Sequence, residues 1–239
     1  ILFFILPEPK SAPHAPGWLK EAARALGTVF RNPQSILCGM IAGLLFIPTT
    51  IFDMIWGVRY LQEAREFDYA TAVMRSATVP LGWIIGCPLL GMIRDPPPRR
   101  KPVIVAGAVV LFACLAWILY GETGVFPPGL VGIVAGLASG AAMIPYTVIK
   151  EANPPQLSGT STGVINFINF TFSALLGPVF AGLLVRAAEG AAPPELAHYQ
   201  AAFSPLLAGV ALAALLTLLL KETGPAVPRV TTVPAEATS

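Results

Sequence analysis

The chain has 239 residues, of which 55% are hydrophobic and only 12% are charged, and its mean hydropathy is +0.70. This composition excludes an ordinary soluble domain, in which about a quarter of the residues are charged, and it predicts a membrane protein. The formal charge of +2 argues against a nucleic-acid partner. The partners we expect are the lipid bilayer and small solutes.

The chain opens on a short apolar segment. Residues 1–6, ILFFIL, are followed by Pro7, whereas a membrane span needs about 20 residues and a signal peptide needs a basic leader. We interpret residues 1–6 as the end of a truncated transmembrane helix that begins before Ile1. We therefore expect a further membrane segment, N-terminal to this sequence, to share any site with it.

Residues 7–34 are predicted to form a cytoplasmic linker with a short amphipathic helix. In the segment GWLKEAARALGTVF, apolar side chains recur at intervals of three and four. We interpret this helix as lying in the inner membrane interface, in preference to a regulatory target for another protein. Asn32 and Pro33 then supply a cap and a first-turn proline for the next helix.

Six apolar stretches follow, each near the ~20 residues that cross a bilayer. Their predicted bounds are 35–60, 69–93, 102–120, 126–148, 161–186 and 201–220, so that residues 35–220 form an all-α bundle of six transmembrane helices. With Arg75 left inside a span, Arg59, Arg65 and Arg186 fall at span ends or loops on one side and the other cations on the opposite side, which the positive-inside rule makes cytoplasmic. We expect a multi-pass protein of a bacterial inner or plasma membrane. Its disordered tail, residues 221–239, is then cytoplasmic.

Polar side chains distinguish four of the six spans. The third and sixth spans are almost wholly apolar, so we expect them to face lipid, and the other four to line a bundle interior or a watered cavity. In the fifth span, one face carries four polar residues: Thr162, Asn166, Asn169 and Ser173. This face can hydrogen-bond a solute or hold helices together, and both interpretations remain open.

Asp53 and Arg75 lie in the predicted outer halves of the first and second spans. Opposite charges on consecutive antiparallel helices predict either a structural ion pair or a site where a substrate or proton competes for one of them. In the functional interpretation, Asp53 takes up a proton and Arg75 holds an anionic group. In a further alternative, Asp53 pairs with Arg59 near the interface.

The fourth span combines small residues with a polar face. Gly132, Gly136 and Gly140 form two overlapping GxxxG patterns, which favour close contact with another helix. Ser139 and Tyr146 lie on a neighbouring face that can line a solute path. Three residues elsewhere are expected to kink or pack their helices: Pro48, Gly177 and Pro178.

A signature follows the second span. Gly91 and Asp95 are four residues apart, and the basic residues Arg99 and Arg100 come next. The glycine lets helices approach closely, and the carboxylate can meet the positive N-terminus of another helix. This segment resembles the loop signature G-x-x-x-D-[RK]-x-G-[RK]-[RK] of the major facilitator superfamily. Two prolines replace the usual cation and the turn glycine, so we expect this loop to anchor helices more than to gate them.

The resemblance covers nearly the whole chain. It implies that residues 1–6 end the sixth of twelve helices, and that the six spans are helices seven to twelve, behind a missing N-terminal half. The family's fold implies a secondary transporter whose two halves rock about a midplane site, driven by an ion gradient, commonly of protons. The resemblance also implies that Asp95 meets a helix of that missing half and that Asp53 is the candidate proton carrier. Helices seven, eight, ten and eleven line the cavity in this family, as the polar residues independently indicate.

No cofactor, metal site or catalytic constellation is predicted, so we expect a protein that is not an enzyme. Cys38, Cys87 and Cys114 lie in apolar runs without metal-ligand spacing. We favour an organic anion or a polar metabolite as the solute. Because aromatic side chains such as Phe167 and Phe170 suit a hydrophobic drug, a drug/proton antiporter of the same superfamily remains an alternative. A six-helix channel is the alternative from another class.

Overall fold

The computed structural model describes residues 17–92, 99–122, 124–127 and 129–223, and these residues form helices and turns without a strand. Six helices are long and apolar enough to cross a membrane. In chain order, the first to sixth spans are Pro33–Glu63, Tyr69–Leu90, Arg100–Tyr120, Leu130–Glu151, Pro155–Ala188 and Leu196–Leu219. The predicted all-α class with six spans is confirmed. The predicted truncated helix at residues 1–6 lies outside the described residues, as does the tail from residue 224.

The amphipathic segment forms a helix, Trp18–Arg31, in front of the first span. Its C-terminal end touches the bundle, where Val29 is buried and Phe30 packs edge-on against Phe167 with the ring centroids 6.0 Å apart. The first span begins at Asn32, whose side-chain oxygen accepts a hydrogen bond from the backbone N–H of Gln34 at 3.0 Å. This N-cap fixes where the surface helix ends and the membrane helix starts.

The first and fourth spans occupy the centre of the bundle. In their most apolar stretches, 67% and 61% of the residues are buried, against 17% in the second and fifth spans. The second span packs on the fourth, the fourth on the third, the third on the sixth, and the sixth and fifth on the first. The second and fifth spans are therefore the least covered helices of the bundle.

Aromatic rings join the first, fifth and sixth spans. Phe203 packs against Phe52 and Phe180 with centroid separations of 5.0 and 5.6 Å, and Tyr60 against Tyr199 at 5.4 Å. Such contacts stabilise a bundle in lipid because association there depends on packing rather than on the hydrophobic effect. The cluster lies at the end of the bundle that the charge distribution predicts to be outer.

Glycines bring the second and fourth spans into backbone contact. A Cβ atom built on Gly136 would lie 2.0 Å from the carbonyl oxygen of Val79, and one on Gly82 would lie 2.1 Å from that of Ile133. Gly132 and Gly140 also face the second span, where an added Cβ would clash with Thr78 and with the backbone at Gly86. No residue larger than glycine fits these crossings without moving one helix.

Proline changes the helix geometry in the first span but not in the fifth. The first span widens into a π-helical stretch at Pro48–Gly57, because Pro48 has no N–H to donate to the preceding turn. The Thr50 hydroxyl bonds the carbonyl oxygen of Phe46 at 3.1 Å and so satisfies one of the acceptors there. In the fifth span, helix continues through Gly177 and Pro178.

Polar contacts join the ends of the spans that are predicted to be cytoplasmic. Asn153 is buried, and its side-chain amide donates to the Ser35 hydroxyl at 2.8 Å and to the carbonyl oxygen of Ile149 at 2.7 Å. The Asn153 side-chain oxygen accepts from the Asn32 amide at 3.2 Å. These bonds connect the start of the first span to the end of the fourth.

The basic signature lies at the same end. Arg100 pairs with Glu151 at 3.0 Å, and the Glu222 carboxylate accepts hydrogen bonds from the first backbone N–H groups of the third span. Arg99 is exposed directly before that span, and Gly91 lies in the last turn of the helix that ends at Met92. Asp95 lies outside the described residues. Arg100 therefore links the third and fourth spans.

Candidate functional site

A cavity opens at the predicted outer end of the bundle, between the first four spans and the segment that follows the third. Its volume, the open mouth included, is about 1000 Å³. The polar side chains that line it are Thr49, Asp53, Tyr60, Arg65, Arg75, Ser76, Thr78 and Glu122. The aromatic ones are Phe52, Phe67, Trp117 and Phe126. Its wall thus mixes both signs of charge with aromatic surface, as solute sites do.

Asp53 lies in the middle of the π-helical stretch of the first span. Its Oδ1 atom accepts a hydrogen bond from the Ser76 hydroxyl at 3.2 Å, whereas Oδ2 is buried and no described residue donates a hydrogen bond to it. Gly57 makes room for this contact, since a Cβ there would lie 2.8 Å from Ser76 Oγ and 3.1 Å from Asp53 Oδ1. One carboxylate oxygen is therefore held in place and the other is left for a further partner.

Arg75 approaches the cavity from the second span. Its guanidinium carbon lies 3.9 Å from the centroid of the Phe67 ring, a cation–π contact. The Nε atom is buried, and no described residue accepts a hydrogen bond from it. The helix is interrupted at Ala77, where the Thr78 hydroxyl bonds the carbonyl oxygen of Arg75 at 2.6 Å. Arg75 thus has an aromatic neighbour but no anionic one.

The structure contains neither ion pair that the sequence suggested for Asp53. Among the described residues, ion pairs join Arg59 to Glu63 and Arg100 to Glu151. Ser76 occupies one oxygen of Asp53, the Arg75 guanidinium lies on Phe67, and Arg59 binds the Glu63 carboxylate one helical turn away at 2.8 Å. Asp53 and Arg75 share one cavity without contacting each other.

Arg65 has a different environment from Arg75. It donates to the Tyr60 hydroxyl at 2.8 Å and to the carbonyl oxygens of Ile118 and Leu119 at 2.8 and 3.1 Å. The C-terminal end of a helix presents free carbonyl groups and partial negative charge, both of which stabilise a cation. Arg65 therefore fixes the cavity wall, whereas the guanidinium of Arg75, the other cation of the cavity, makes no hydrogen bond to any described residue.

The four polar residues of the fifth span do not line this cavity, and three of them contact neighbouring spans. Tyr146 donates to Asn166 Oδ1 at 2.7 Å and accepts from Asn169 at 3.4 Å. Ser173 lies 3.5 Å from the Thr50 hydroxyl. The Asn169 side-chain oxygen is buried without a partner. These contacts are those of interhelical hydrogen bonding, with one acceptor unused.

Two of the predicted solute contacts meet in the cavity and the rest do not. Asp53 and Arg75 line it, as do the packing candidates Pro48 and Gly132. Ser139 lies outside it, where its hydroxyl bonds that of Thr49 at 2.8 Å. Asp53 and Arg75 thus line the cavity, whereas the other predicted solute contacts make hydrogen bonds between helices: Ser139, Tyr146, Asn166, Asn169 and Ser173. Thr162 does neither, because its hydroxyl bonds the carbonyl oxygen of the preceding turn.

Sequence reasoning missed several cavity residues. Ser76 could have been found, because it is a hydroxyl directly beside Arg75 inside a predicted span. Tyr60 and Arg65 carried no such signal, since aromatic and basic residues are common at the ends of membrane helices. Glu122 follows the third span, and nothing in the pattern assigned it to a cavity.

Six membrane-crossing helices with an inward-facing carboxylate and guanidinium define a multi-pass integral membrane protein with a polar interior site. Residues 1–178 match the model of the Major Facilitator Superfamily, and the chain belongs to this family. Because the family consists of transporters, the chain belongs to a transporter and not to an enzyme. No curated protein and no solved structure matches the chain.

Proposed function

We propose that the chain is the C-terminal half of a secondary active transporter that moves a small organic solute by rocker-switch alternating access. One observation carries the proposal. Asp53 and Arg75 line the same cavity without pairing, and each has a buried polar atom without a partner. Because uncompensated charge is costly in the membrane, such groups mark sites for a solute or ion. The solute class that we favour is an organic anion or polar metabolite.

The proposed energy source is an ion gradient, with Asp53 as the proton carrier. Asp53 suits this role because Ser76 holds Oδ1 while Oδ2 is free to receive a proton. The proposed partner is an N-terminal six-helix half. The poorly covered second and fifth spans suit such a neighbour, since 17% of the residues in their apolar stretches are buried. In this orientation the cavity faces outward and the basic ends of the spans face the cytoplasm.

The test is uptake by the full-length protein, measured in proteoliposomes across a range of solute concentrations. We expect saturable, gradient-driven accumulation. Flux that rises without saturation and stops at equilibrium would instead identify a channel. The two outcomes separate the classes because a channel cannot concentrate a solute.

We expect Arg75→Ala to lower kcat/KM for uptake by about tenfold or more, because a buried charged contact with the solute is lost. Asn166→Ala should lower it less, since Asn166 already binds Tyr146 at 2.7 Å. The matched control is Arg186→Ala, at an exposed position near the end of the fifth span. Wild-type rates in both Arg75→Ala and Asn166→Ala would remove these residues from the transport path.

The variant Asp53→Asn tests whether proton coupling depends on Asp53 while movement of the solute itself does not. The amide keeps the size of the carboxyl group but cannot carry a proton. We therefore expect loss of proton-driven accumulation, while exchange of solute between the two sides continues at saturating solute concentration. The control is Glu189→Gln, at an exposed position outside the cavity. Unchanged proton-driven accumulation in Asp53→Asn would contradict the proton-carrier role.

A further inference from the structure

The charges around the cavity indicate the kind of solute that it accepts. Four ionisable acids and bases line it: the arginines Arg65 and Arg75 and the carboxylates Asp53 and Glu122. With all four ionised, the lining has no net charge. A neutral lining with both signs present does not favour a net anion or a net cation.

Only two of these four groups are inside the cavity and available to a solute. Arg65 is held by Tyr60 and by the carbonyl oxygens at the end of the third span. Glu122 is exposed at the mouth. Asp53 Oδ2 and Arg75 Nε are buried and make no hydrogen bond to any described residue. The interior thus offers one carboxylate oxygen and one guanidinium.

Asp53 and Arg75 do not satisfy each other, because no nitrogen of Arg75 lies within the 4.0 Å of an Asp53 oxygen that defines an ion pair. Two separated charges of opposite sign, each with a buried polar atom that no described residue binds, favour a counter-charge from the solute. An organic anion compensates Arg75 and leaves Asp53 unpaired and repelled, and an organic cation does the reverse. A molecule that carries both an anionic and a cationic group compensates both.

We infer that the cavity binds a small zwitterion, with its ammonium group on Asp53 and its carboxylate on Arg75. The inference rests on the proposed transport function and, of the two solute classes favoured there, selects the polar metabolite over the organic anion. The apolar part of such a molecule meets the aromatic wall, where Trp117 and Phe126 pack edge-on with centroids 4.9 Å apart. The Phe67 ring packs against the guanidinium. A carboxylate on Arg75 would receive charge-assisted hydrogen bonds at little cost in side-chain ordering.

The test uses the purified full-length protein and measures binding of the twenty standard amino acids by thermal stabilisation. For the amino acid that binds most tightly, its decarboxylated amine and its deaminated acid serve as probes with the same side chain. We expect each single-charge analogue to bind about tenfold more weakly or worse than the zwitterion, because each leaves one buried charge unpaired. Binding of no amino acid, or equal binding of either analogue, would overturn the inference.

Variants assign each charge to its partner. Asp53→Asn should weaken binding of the amino acid about tenfold or more but leave binding of the deaminated acid unchanged or tighter, because the carboxylate that repels this acid is gone. Arg75→Gln should weaken the amino acid equally but spare the decarboxylated amine. A purely structural role for these residues would weaken all three ligands alike. The controls are Glu189→Gln and Arg186→Gln, which remove the same charges outside the cavity.

Failure of the inference can be told apart from failure of the proposed function. Saturable, gradient-driven uptake of an organic anion by a protein that binds no amino acid would support the proposed transport function and exclude a zwitterionic solute. Binding of an amino acid without any uptake would support the zwitterion site in the cavity and contradict the proposed transport function.

Discussion

Gly136→Ala is expected to destabilise the bundle by about 3 kcal/mol, because one methyl group must be inserted between two packed backbones. The new Cβ would lie 2.0 Å from the carbonyl oxygen of Val79 and 2.8 Å from the backbone nitrogen of Trp83. Backbone atoms cannot rotate away as a side chain can, so the second and fourth spans must separate along their contact. Thermal unfolding of the purified protein in detergent should show a midpoint several degrees lower.

The matched control is Gly182→Ala in the fifth span, where no described atom lies within 4 Å of the added Cβ. Alanine forms helix better than glycine, so this variant should be unchanged or slightly more stable. A Gly136→Ala protein as stable as the wild type would show that the second and fourth spans do not cross at this glycine. Because both spans line the cavity, the same variant should also lower uptake.

Asn153→Leu is expected to cost about 2 kcal/mol, because it removes the polar centre of the contact between the first and fourth spans. Leucine resembles asparagine in size but neither donates nor accepts hydrogen bonds. The Ser35 hydroxyl, which is fully buried, then loses its partner, and the side-chain amide of Asn32 keeps only its bond to the carbonyl oxygen of Ala152. The same thermal unfolding measurement applies.

The control for this variant is Gln156→Leu, which removes an exposed side-chain amide a few residues further along the chain. We expect it to leave the unfolding midpoint unchanged. If both variants behaved alike, the loss at position 153 could not be assigned to its buried hydrogen bonds. Asn153→Gln should recover little of the lost stability. Its longer side chain cannot place the amide where it forms the bonds of 2.8 Å to Ser35 and 2.7 Å to Ile149.

The membrane helices could be predicted because the bilayer imposes a strong local rule. Every span needs about 20 apolar residues with all backbone groups bonded internally, and this requirement is visible in the sequence without any knowledge of neighbours. The start of the first span could be predicted for a similar reason, since Asn32 and Pro33 form a cap from adjacent residues.

The partners of polar and small residues could not be predicted in the same way. The GxxxG spacing of the fourth span indicates a close contact, but it does not say that Gly136 meets the backbone of the second span at Val79. That choice depends on how the helices rotate and cross. For the same reason, Tyr146 and Asn166 could be candidates for solute contact in the sequence and be bonded to each other in the bundle.

The relation of Asp53 to Arg75 depends on a local departure from the α-helix. The prediction that Asp53 pairs with Arg75 or Arg59 requires regular α-helical spacing through the first span. The π-helical stretch at Pro48–Gly57 adds residues to each turn and so changes where Asp53 points. Ser76 reaches the carboxylate, and Arg75 lies on Phe67 instead. The proline was visible in the sequence, but the resulting change of register was not.

A solute that occupies the cavity between the first four spans should protect a cysteine in the cavity wall from chemical labelling. Ser76→Cys is a nearly isosteric change in the cavity wall, made in a protein whose natural cysteines, Cys38, Cys87 and Cys114, are alanine. Reaction with a membrane-impermeant maleimide is followed with and without saturating solute. We expect the solute to slow labelling severalfold. The solute concentration that gives half of this protection should lie near the KM for uptake. Saturable uptake together with an unchanged labelling rate would contradict it.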